Sequence, residues 1–175
     1  RTTLPLNSFD RLRPSTITFV SLIRFLPFAA FRQLKKKGKK IVFTNGCFDL
    51  VHAGHISSFV QAKAKGDVLI VGINSDASIK RIKGDKRPIV TQMNRAKLLS
   101  ALGMIDYLVI FDDDTPQKLI EKILPDVLVK GKDWEGKEVA GQDVVESHGG
   151  KVSFINLEEG LSTTNIIEKI RKLYN

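Results

Sequence analysis

Two histidines, His52 and His55, stand three residues apart around Gly54, directly after a glycine-containing turn. The apolar run before that turn, residues 41–43, indicates a strand, and the residues after the histidines indicate a helix. A helix start carries unpaired backbone N–H groups and the positive end of the helix dipole, so it binds anions. Both imidazoles can donate to the same anion, and Gly54 lets it approach the backbone. The segment therefore predicts a phosphate site.

The same histidine pair has two other interpretations. It can be an incidental helix start without a ligand, or part of a metal site. Cys47 and Asp49 are the nearest further ligand candidates, but no third His or Cys lies at a spacing typical of zinc sites. We therefore expect no metal ion held by the protein, and the position of the pair between a strand and a helix favours the anion site.

Apolar runs alternate with helical periodicity along the rest of the chain, which predicts a parallel α/β sheet. Strands are predicted at 41–43, 68–73, 107–111, 127–129 and 152–155, and helices at 55–65, 91–102, from 115 onward, at 139–147 and after Ser162. The predicted fold is α/β, an open parallel five-stranded sheet with helices on both faces, plus a basic N-terminal arm. Such sheets bind ligands beyond the carboxyl ends of their strands, so we expect the site in the loops there.

The net charge of +9 over 175 residues is concentrated at the beginning of the chain. Residues 1–40 hold ten basic residues and Asp10 as their one acidic residue, whereas residues 41–175 hold eighteen of each kind. We place the basic arm at 1–37 and a neutral domain at 38–175. A nucleic-acid-binding protein that acts through the arm is the non-enzyme alternative. The domain lacks interleaved aromatic residues for base stacking, so we expect no nucleic acid partner.

Neither a membrane nor an oxidising compartment is predicted for this chain. The apolar stretch at 17–31 is interrupted by Arg24 and Pro27 and is shorter than the roughly 20 residues of a spanning helix. Pro27 instead predicts the start of a short helix whose apolar face, with Phe31, packs on the domain. The single cysteine, Cys47, cannot form an intrachain disulfide, which favours a reducing compartment, the cytoplasm.

Several further motifs follow the histidine segment in order. They are residues 72–76, 83–84, 87–88, 94–96, 129–134 and 160–167. Together with His52-x-Gly54-His55, they resemble the nucleotidyltransferase superfamily with the HxGH motif, and within it the heptose 1-phosphate adenylyltransferases, over residues 41–172. The resemblance implies a Rossmann-like fold and transfer of AMP from ATP to a sugar 1-phosphate. The expected products are ADP-heptose and pyrophosphate, formed by direct in-line displacement without a covalent intermediate.

One further stretch helps to distinguish between two branches of the superfamily. Residues 134–137, Trp-Glu-Gly-Lys, also resemble the glycerol-3-phosphate cytidylyltransferases, which carry an arginine three residues before the glycine of a Gly-x-Ser-Thr-Thr motif. Leu157 stands at that position here, which favours the heptose branch. Cytidylyl transfer to glycerol 3-phosphate and adenylyl transfer to FMN are the alternative enzyme activities.

The resemblance implies roles for residues around the predicted crevice. His52 and His55 are expected to bind the triphosphate as donors rather than as a base, and Lys83 to hold the acceptor phosphate. The expected nucleotide-binding residues are Thr44, Asn45, Gly46, Cys47, Phe48, Gly54, Lys80, Arg95, Gly131, Asp133, Ser162, Thr163 and Thr164. The expected partners are ATP, which brings Mg²⁺ with it, and a sugar phosphate. Members of the family are often dimers, so a second copy of the chain is a further candidate partner.

Some of these residues have structural alternatives that the sequence leaves open. Lys80 and Lys83 can be solvated charges on a loop. Arg95 can form a surface ion pair instead of clamping a phosphate. Ser162 caps the last helix with or without a ligand, and Cys47 is a packed small residue rather than a nucleophile, because the reaction needs no covalent intermediate.

Overall fold

The structure, a computed structural model, describes residues 28–174; the earlier part of the arm, with Pro27 and most of the apolar stretch at 17–31, lies outside the described residues. The helices are α1 Phe28–Lys36, α2 Ala53–Lys63, α3 Asp76–Lys83, α4 Gln92–Ser100, α5 Gln117–Ile123, α6 Gln142–Ser147 and α7 Thr163–Tyr174. The strands are β1 Ile41–Gly46, β2 Val68–Asn74, β3 Tyr107–Phe111, β4 Val127–Gly131 and β5 Lys151–Ile155. Within the described residues, no helix has the length and apolar character needed to cross a membrane.

All five strands are parallel and lie in the order β3-β2-β1-β4-β5, which confirms the predicted fold. The central strands are apolar on both faces because helices cover both, and every residue of β2 is buried. Strand order reverses beside β1, whose neighbours are β2 and β4. Such a switch point opens a crevice at the carboxyl ends of the strands, and the loop that carries the histidines begins there.

The two faces of the sheet have separate cores. On one face, Phe59 of α2 and Leu99 of α4 pack against β1 and β2. On the other face, Phe31 of α1 packs with residues of α5 and α6 and is fully buried. Helix α1 therefore packs on the domain, as expected from Pro27, and Phe31 belongs to the core.

The structure corrects the sequence analysis between β2 and the fourth helix. Residues 76–83, for which the sequence predicts a loop, form the helix α3, so Lys80 and Lys83 lie on a helix. Ser75 caps this helix, since its hydroxyl accepts the Ser78 N–H at 3.0 Å. Only Ser78 and Ile79 of α3 are buried, and so short a buried stretch produced no clear helical periodicity in the sequence.

Candidate active site

The loop after β1 is held in a turn of unusual backbone geometry. Phe48 has a φ of 48°, in the left-handed region that costs a non-glycine residue about 1–3 kcal/mol. Its ring is buried and packs on Phe59 at 5.1 Å and edge-on to His55 at 5.3 Å between ring centroids. This packing stabilises the turn and orients the loop residues toward the crevice.

Arg95 supports the same loop from helix α4. Its guanidinium is fully buried and donates to the carbonyl of Cys47 at 2.6 Å, to the carbonyl of Val90 at 3.0 Å and to the carboxylate of Asp76 at 2.8 Å. These protein acceptors occupy every nitrogen of the guanidinium. Arg95 therefore forms a buried ion pair that positions the loop, which corrects the alternative of a surface ion pair, and its role as a phosphate clamp stays a prediction.

The two histidines form a stacked pair at the start of α2. Their ring centroids are 3.9 Å apart with planes at 26°, and Nδ1 of His55 accepts the backbone N–H of His52 at 3.4 Å. Burial, together with the neighbouring His52, lowers the pKa of His55 to about 4. His55 is therefore neutral at pH 7, and because Nδ1 accepts, its proton is on Nε2. His55 presents one N–H donor.

His52 has a buried polar atom that lacks a partner. Burial lowers the pKa of its imidazole, although Glu158 acts in the opposite direction. Its Nδ1 is buried and makes no hydrogen bond with any described residue. Buried polar atoms in folded proteins are nearly always paired, and leaving one unpaired costs about 1–3 kcal/mol. Because this nitrogen is closed to solvent, His52 contributes to the site through its stacking on His55 and its place at the start of α2.

Next to the histidines lies a cavity of about 320 Å³, which we call the first cavity. Its lining joins the end of β1 to the starts of α2 and α7. The predicted site residues among the lining are Thr44, Asn45, Gly46, Cys47, Phe48, His55, Lys83, Gly131, Asp133, Thr163 and Thr164. His52, Gly54, Lys80, Arg95 and Ser162 are not lining residues.

The N-terminus of α7 faces the histidines across this cavity. Ser162 caps the helix, since its hydroxyl accepts the Asn165 N–H at 3.0 Å, which confirms the capping role. The Thr163 hydroxyl donates to the carbonyl of Leu50 at 3.4 Å and so joins α7 to the loop after β1. With Thr163 and Thr164 in the lining, two helix starts, those of α2 and α7, meet at one cavity.

Arg87 is a lining residue to which the sequence analysis gave no role. Its Nε donates to Asp49 at 2.5 Å, and Asp49 also accepts the N–H of Ile89 and of Val90 at 2.8 Å. Burial alone raises the pKa of Asp49, but these backbone donors and the guanidinium outweigh it and hold the pKa below its usual value. Asp49 thus fixes Arg87 at the cavity by one nitrogen. In the sequence, the Arg87-Pro88 motif was the only indication that Arg87 belongs to the site.

Close packing requires glycine at two of the predicted site residues, Gly131 and Gly54. A Cβ on Gly131 would lie 2.4 Å from Oδ1 of Asp133 and 3.0 Å from Leu157, so only glycine lets these side chains approach the end of β4. A Cβ on Gly54 would lie 3.2 Å from the His52 ring. Gly54 therefore serves the stacking of the histidine pair.

A larger cavity, of about 610 Å³, adjoins the first one, and we call it the second cavity. Residues 44–47 at the end of β1 line both cavities, as do Lys83 and Gly131. Cys47 is part of this shared wall, and burial raises the pKa of its thiol, so it remains protonated at neutral pH. The second cavity adds Lys130 and Trp134, neither of which was predicted to be a site residue.

An open parallel sheet with two helix starts and a histidine pair at its switch point defines a Rossmann-like α/β protein with a candidate anion site. Comparison with known proteins gives the family. The chain belongs to the cytidylyltransferase-like family, whose sequence profile matches residues 43–169.

The relatives include two bifunctional proteins named HldE. That of Geobacter metallireducens is 57% identical over 140 residues, and that of Campylobacter concisus is 57% identical over 143 residues. The matches cover 80% and 81% of this chain but 29% of each relative. The chain thus corresponds to less than a third of the length of these proteins.

Two solved structures resemble the fold. The lipopolysaccharide core biosynthesis protein of Thermoplasma volcanium has a TM-score of 0.57 and 28% identity, over 69% of this chain and 98% of that chain. A pantoate-beta-alanine ligase of Francisella tularensis has a TM-score of 0.51 and 18% identity, over 84% of this chain and 76% of that one. The second likeness concerns the fold alone.

Proposed function

We propose that the protein is an adenylyltransferase that transfers AMP from ATP to heptose 1-phosphate, giving ADP-heptose and pyrophosphate. The observation that carries the proposal is the stacked histidine pair at the start of α2, whose His55 lines one cavity with Thr163 and Thr164 at the start of α7. The HldE relatives and the lipopolysaccharide core biosynthesis protein support a sugar phosphate as acceptor. Leu157, at the position where the cytidylyltransferases carry arginine, supports ATP over CTP.

The reaction is a displacement at the α-phosphorus of ATP. A phosphate oxygen of the acceptor forms a bond to the α-phosphorus, the bond from that phosphorus to the β-phosphate oxygen breaks, and pyrophosphate leaves with the electron pair. The acceptor phosphate has its second pKa near ~6 and is already an anion at neutral pH. No residue has to remove a proton from the nucleophile, so a neutral His55 fits the chemistry.

The residues of the first cavity stabilise negative charge. His55 donates from Nε2 to a triphosphate oxygen, and Thr163 and Thr164 at the start of α7 bind the β- or γ-phosphate. Arg87, fixed by Asp49, offers its remaining guanidinium nitrogens to the same anion. These donors are fixed before the substrate arrives, and such preorganised donors lower the barrier most when charge grows in the transition state.

ATP would bring Mg²⁺ to this site. The ion keeps several waters and binds through one or two carboxylates and the substrate phosphates. Asp133 is the one carboxylate side chain that lines the first cavity, and within the described residues no cluster of three His, Cys, Asp or Glu could hold a metal. This donor set fits an ion held mainly by the triphosphate, with Asp133 as the residue that would contact it. When bound, Mg²⁺ neutralises part of the phosphate charge.

A pyrophosphate-release assay tests the proposal. ATP and CTP are each offered with heptose 1-phosphate, glycerol 3-phosphate or FMN, in the presence of Mg²⁺. We expect the highest kcat/KM with ATP and heptose 1-phosphate. Preferred use of CTP with glycerol 3-phosphate would contradict the assigned substrates, and failure of every pair to release pyrophosphate would contradict the enzyme class.

A further inference from the structure

A cluster of exposed lysines joins the end of α1 to the start of β1. Its members are Lys36, Lys37, Lys39 and Lys40, and their ammonium groups make no hydrogen bond or ion pair with any described residue. Gly38 turns the chain between the two pairs with a φ of 72°, a conformation that glycine adopts without strain. Like charges so close together repel one another, so an anionic partner would stabilise the cluster.

The lysine cluster lies at the amino end of the sheet, opposite the crevice. Lys40 directly precedes β1, and because the five strands are parallel, their starts share one edge of the sheet. Asp67 accepts the backbone N–H of Lys40 at 2.8 Å, and Asp126 accepts that of Ile41 at 2.7 Å and pairs with Lys35 at 3.2 Å. Other donors thus engage these carboxylates, and the four ammonium groups of the cluster stay available to a partner.

The positive charge is confined to this end of the molecule. The domain that follows is neutral, since residues 41–175 hold eighteen basic and eighteen acidic residues. β1 has six residues and rises about 3.3 Å for each, so its two ends are roughly 17 Å apart. An anionic surface that contacts the cluster would therefore leave the crevice open to solvent.

The residues before α1 favour a lipid surface over a nucleic acid. Seven of the ten residues at 17–26 are Ile, Leu, Val or Phe. Bulky apolar side chains beside a basic cluster are typical of segments at a membrane interface, where the apolar groups enter the acyl boundary and the lysines meet anionic headgroups. A nucleic acid also attracts lysines, but its phosphate backbone offers no place to bury an aliphatic stretch.

We propose that the lysine cluster docks the protein on an anionic lipid surface, with residues 17–26 adding apolar contacts and the crevice facing away from the bilayer. The proposal departs from the expectation of no membrane partner, which concerned a spanning helix, because attachment to a surface needs no such helix. It is independent of the proposed function, since none of the four lysines lines either cavity.

Co-sedimentation of the full chain with vesicles tests the attachment. One set of vesicles contains phosphatidylglycerol and phosphatidylcholine in a ratio of one to two, and the other contains phosphatidylcholine alone. We expect much tighter binding to the anionic vesicles, and loss of that preference as salt rises toward about 1 M, where the screening length falls to about 3 Å. Equal binding to the two sets at low salt, or no binding to either, would overturn the proposal.

Two double variants with the same change of charge separate the lysine cluster from the rest of the surface. A lysine near an anionic membrane contributes about fivefold in affinity, so Lys36→Gln/Lys37→Gln should weaken binding roughly 10- to 30-fold. Lys132→Gln/Lys137→Gln removes two exposed lysines that follow β4 at the opposite end, where screening limits the change to about twofold. Thermal melts should show that both variants are folded. Equal losses would show that net charge drives binding, not this cluster.

Trp134 reports on the orientation of the bound protein. It is the single tryptophan of the chain and follows β4 at the carboxyl end of the sheet. Anionic vesicles whose acyl chains carry bromine should leave its fluorescence unquenched. Quenching would place the crevice end on the bilayer and refute the proposed orientation.

A deletion and a competitor distinguish lipid from nucleic acid. Deletion of residues 1–26 should weaken vesicle binding but keep the preference for anionic lipid, and unchanged affinity would refute the apolar contact. Mixed-sequence duplex DNA and single-stranded RNA should bind more weakly than the anionic vesicles at the same salt. Tighter binding to either one, reduced in Lys36→Gln/Lys37→Gln, would assign the cluster to nucleic acid and overturn the proposal.

Discussion

Two sets of buried and half-buried polar side chains lie beside the crevice, and they differ in their partners. In the first set, Arg95 pairs with Asp76 and Arg87 with Asp49, and backbone groups complete the hydrogen bonds of Arg95 and Asp49. In the second set, His52 and His55 stack on each other, and Nδ1 of His52 has no described partner. The ion-paired groups stabilise the loop, whereas the histidine pair presents His55 to the first cavity. The difference predicts which substitutions damage folding and which damage catalysis.

The largest effect is expected at Arg95. Arg95→Met keeps much of the side-chain volume but leaves Asp76 and the carbonyl of Cys47 without their donor. Breaking a buried ion pair by removal of one partner costs about 3–5 kcal/mol, so the free energy of unfolding should fall by that order and activity with it. Urea unfolding measures the loss. Arg171→Met on the exposed side of α7 is the control and should stay within about 0.5 kcal/mol.

The histidines should show the opposite pattern. His52→Ala and His55→Ala should each lower kcat by roughly 10²–10³, the effect of removing one preorganised donor to transition-state charge. KM should change much less, and thermal melts should show folded proteins, since an unsatisfied buried nitrogen does not stabilise the fold. His148→Ala, at the exposed end of α6, is the control and should be close to wild type. Near-normal kcat in the two site variants, or loss of activity through unfolding, would make the pair structural.

A smaller effect is expected at His55, in the way the free energy of unfolding depends on pH. Its pKa is about 4 in the folded protein and near 6.5 when unfolded, so between these values the unfolded state binds more protons. Stability should therefore fall as the pH is lowered from 6.5 to about 4, by roughly 1–2 kcal/mol once screening by solvent is allowed for. His55→Gln should weaken this dependence, and His52, whose pKa burial also lowers, should account for part of what remains. Acid destabilisation from Asp49, whose pKa is lowered, appears only below its usual value of 3.8, and so is separable.

Local patterns predicted the fold well, and long-range contacts limited the prediction of the site. The strand at 107–111 was predicted with the bounds of β3, because a short apolar run between turns is a local signal. The partner of Arg95 is a carbonyl 48 residues away, and Asp49 meets Arg87 across 38 residues. No spacing in a single sequence shows such contacts. Lys130 was missed for the same reason, since its partner Asn45 is 85 residues away.

The smallest effect is expected from the arm, and it tests the predicted boundary between the arm and the domain. Deletion of residues 1–26 should leave kcat, KM and the melting temperature nearly unchanged, because the first-cavity residues follow and residues 41–175 are balanced in charge. Deletion of residues 1–33 also removes Phe31, whose ring is fully buried and packs edge-on to Tyr107 at 6.1 Å. Loss of such a ring costs about 3–5 kcal/mol, so the longer deletion should melt well below the shorter one, as should Phe31→Ala in the full chain. A shorter deletion that remains folded but inactive would place part of the active site within the arm and move the domain boundary toward the N-terminus.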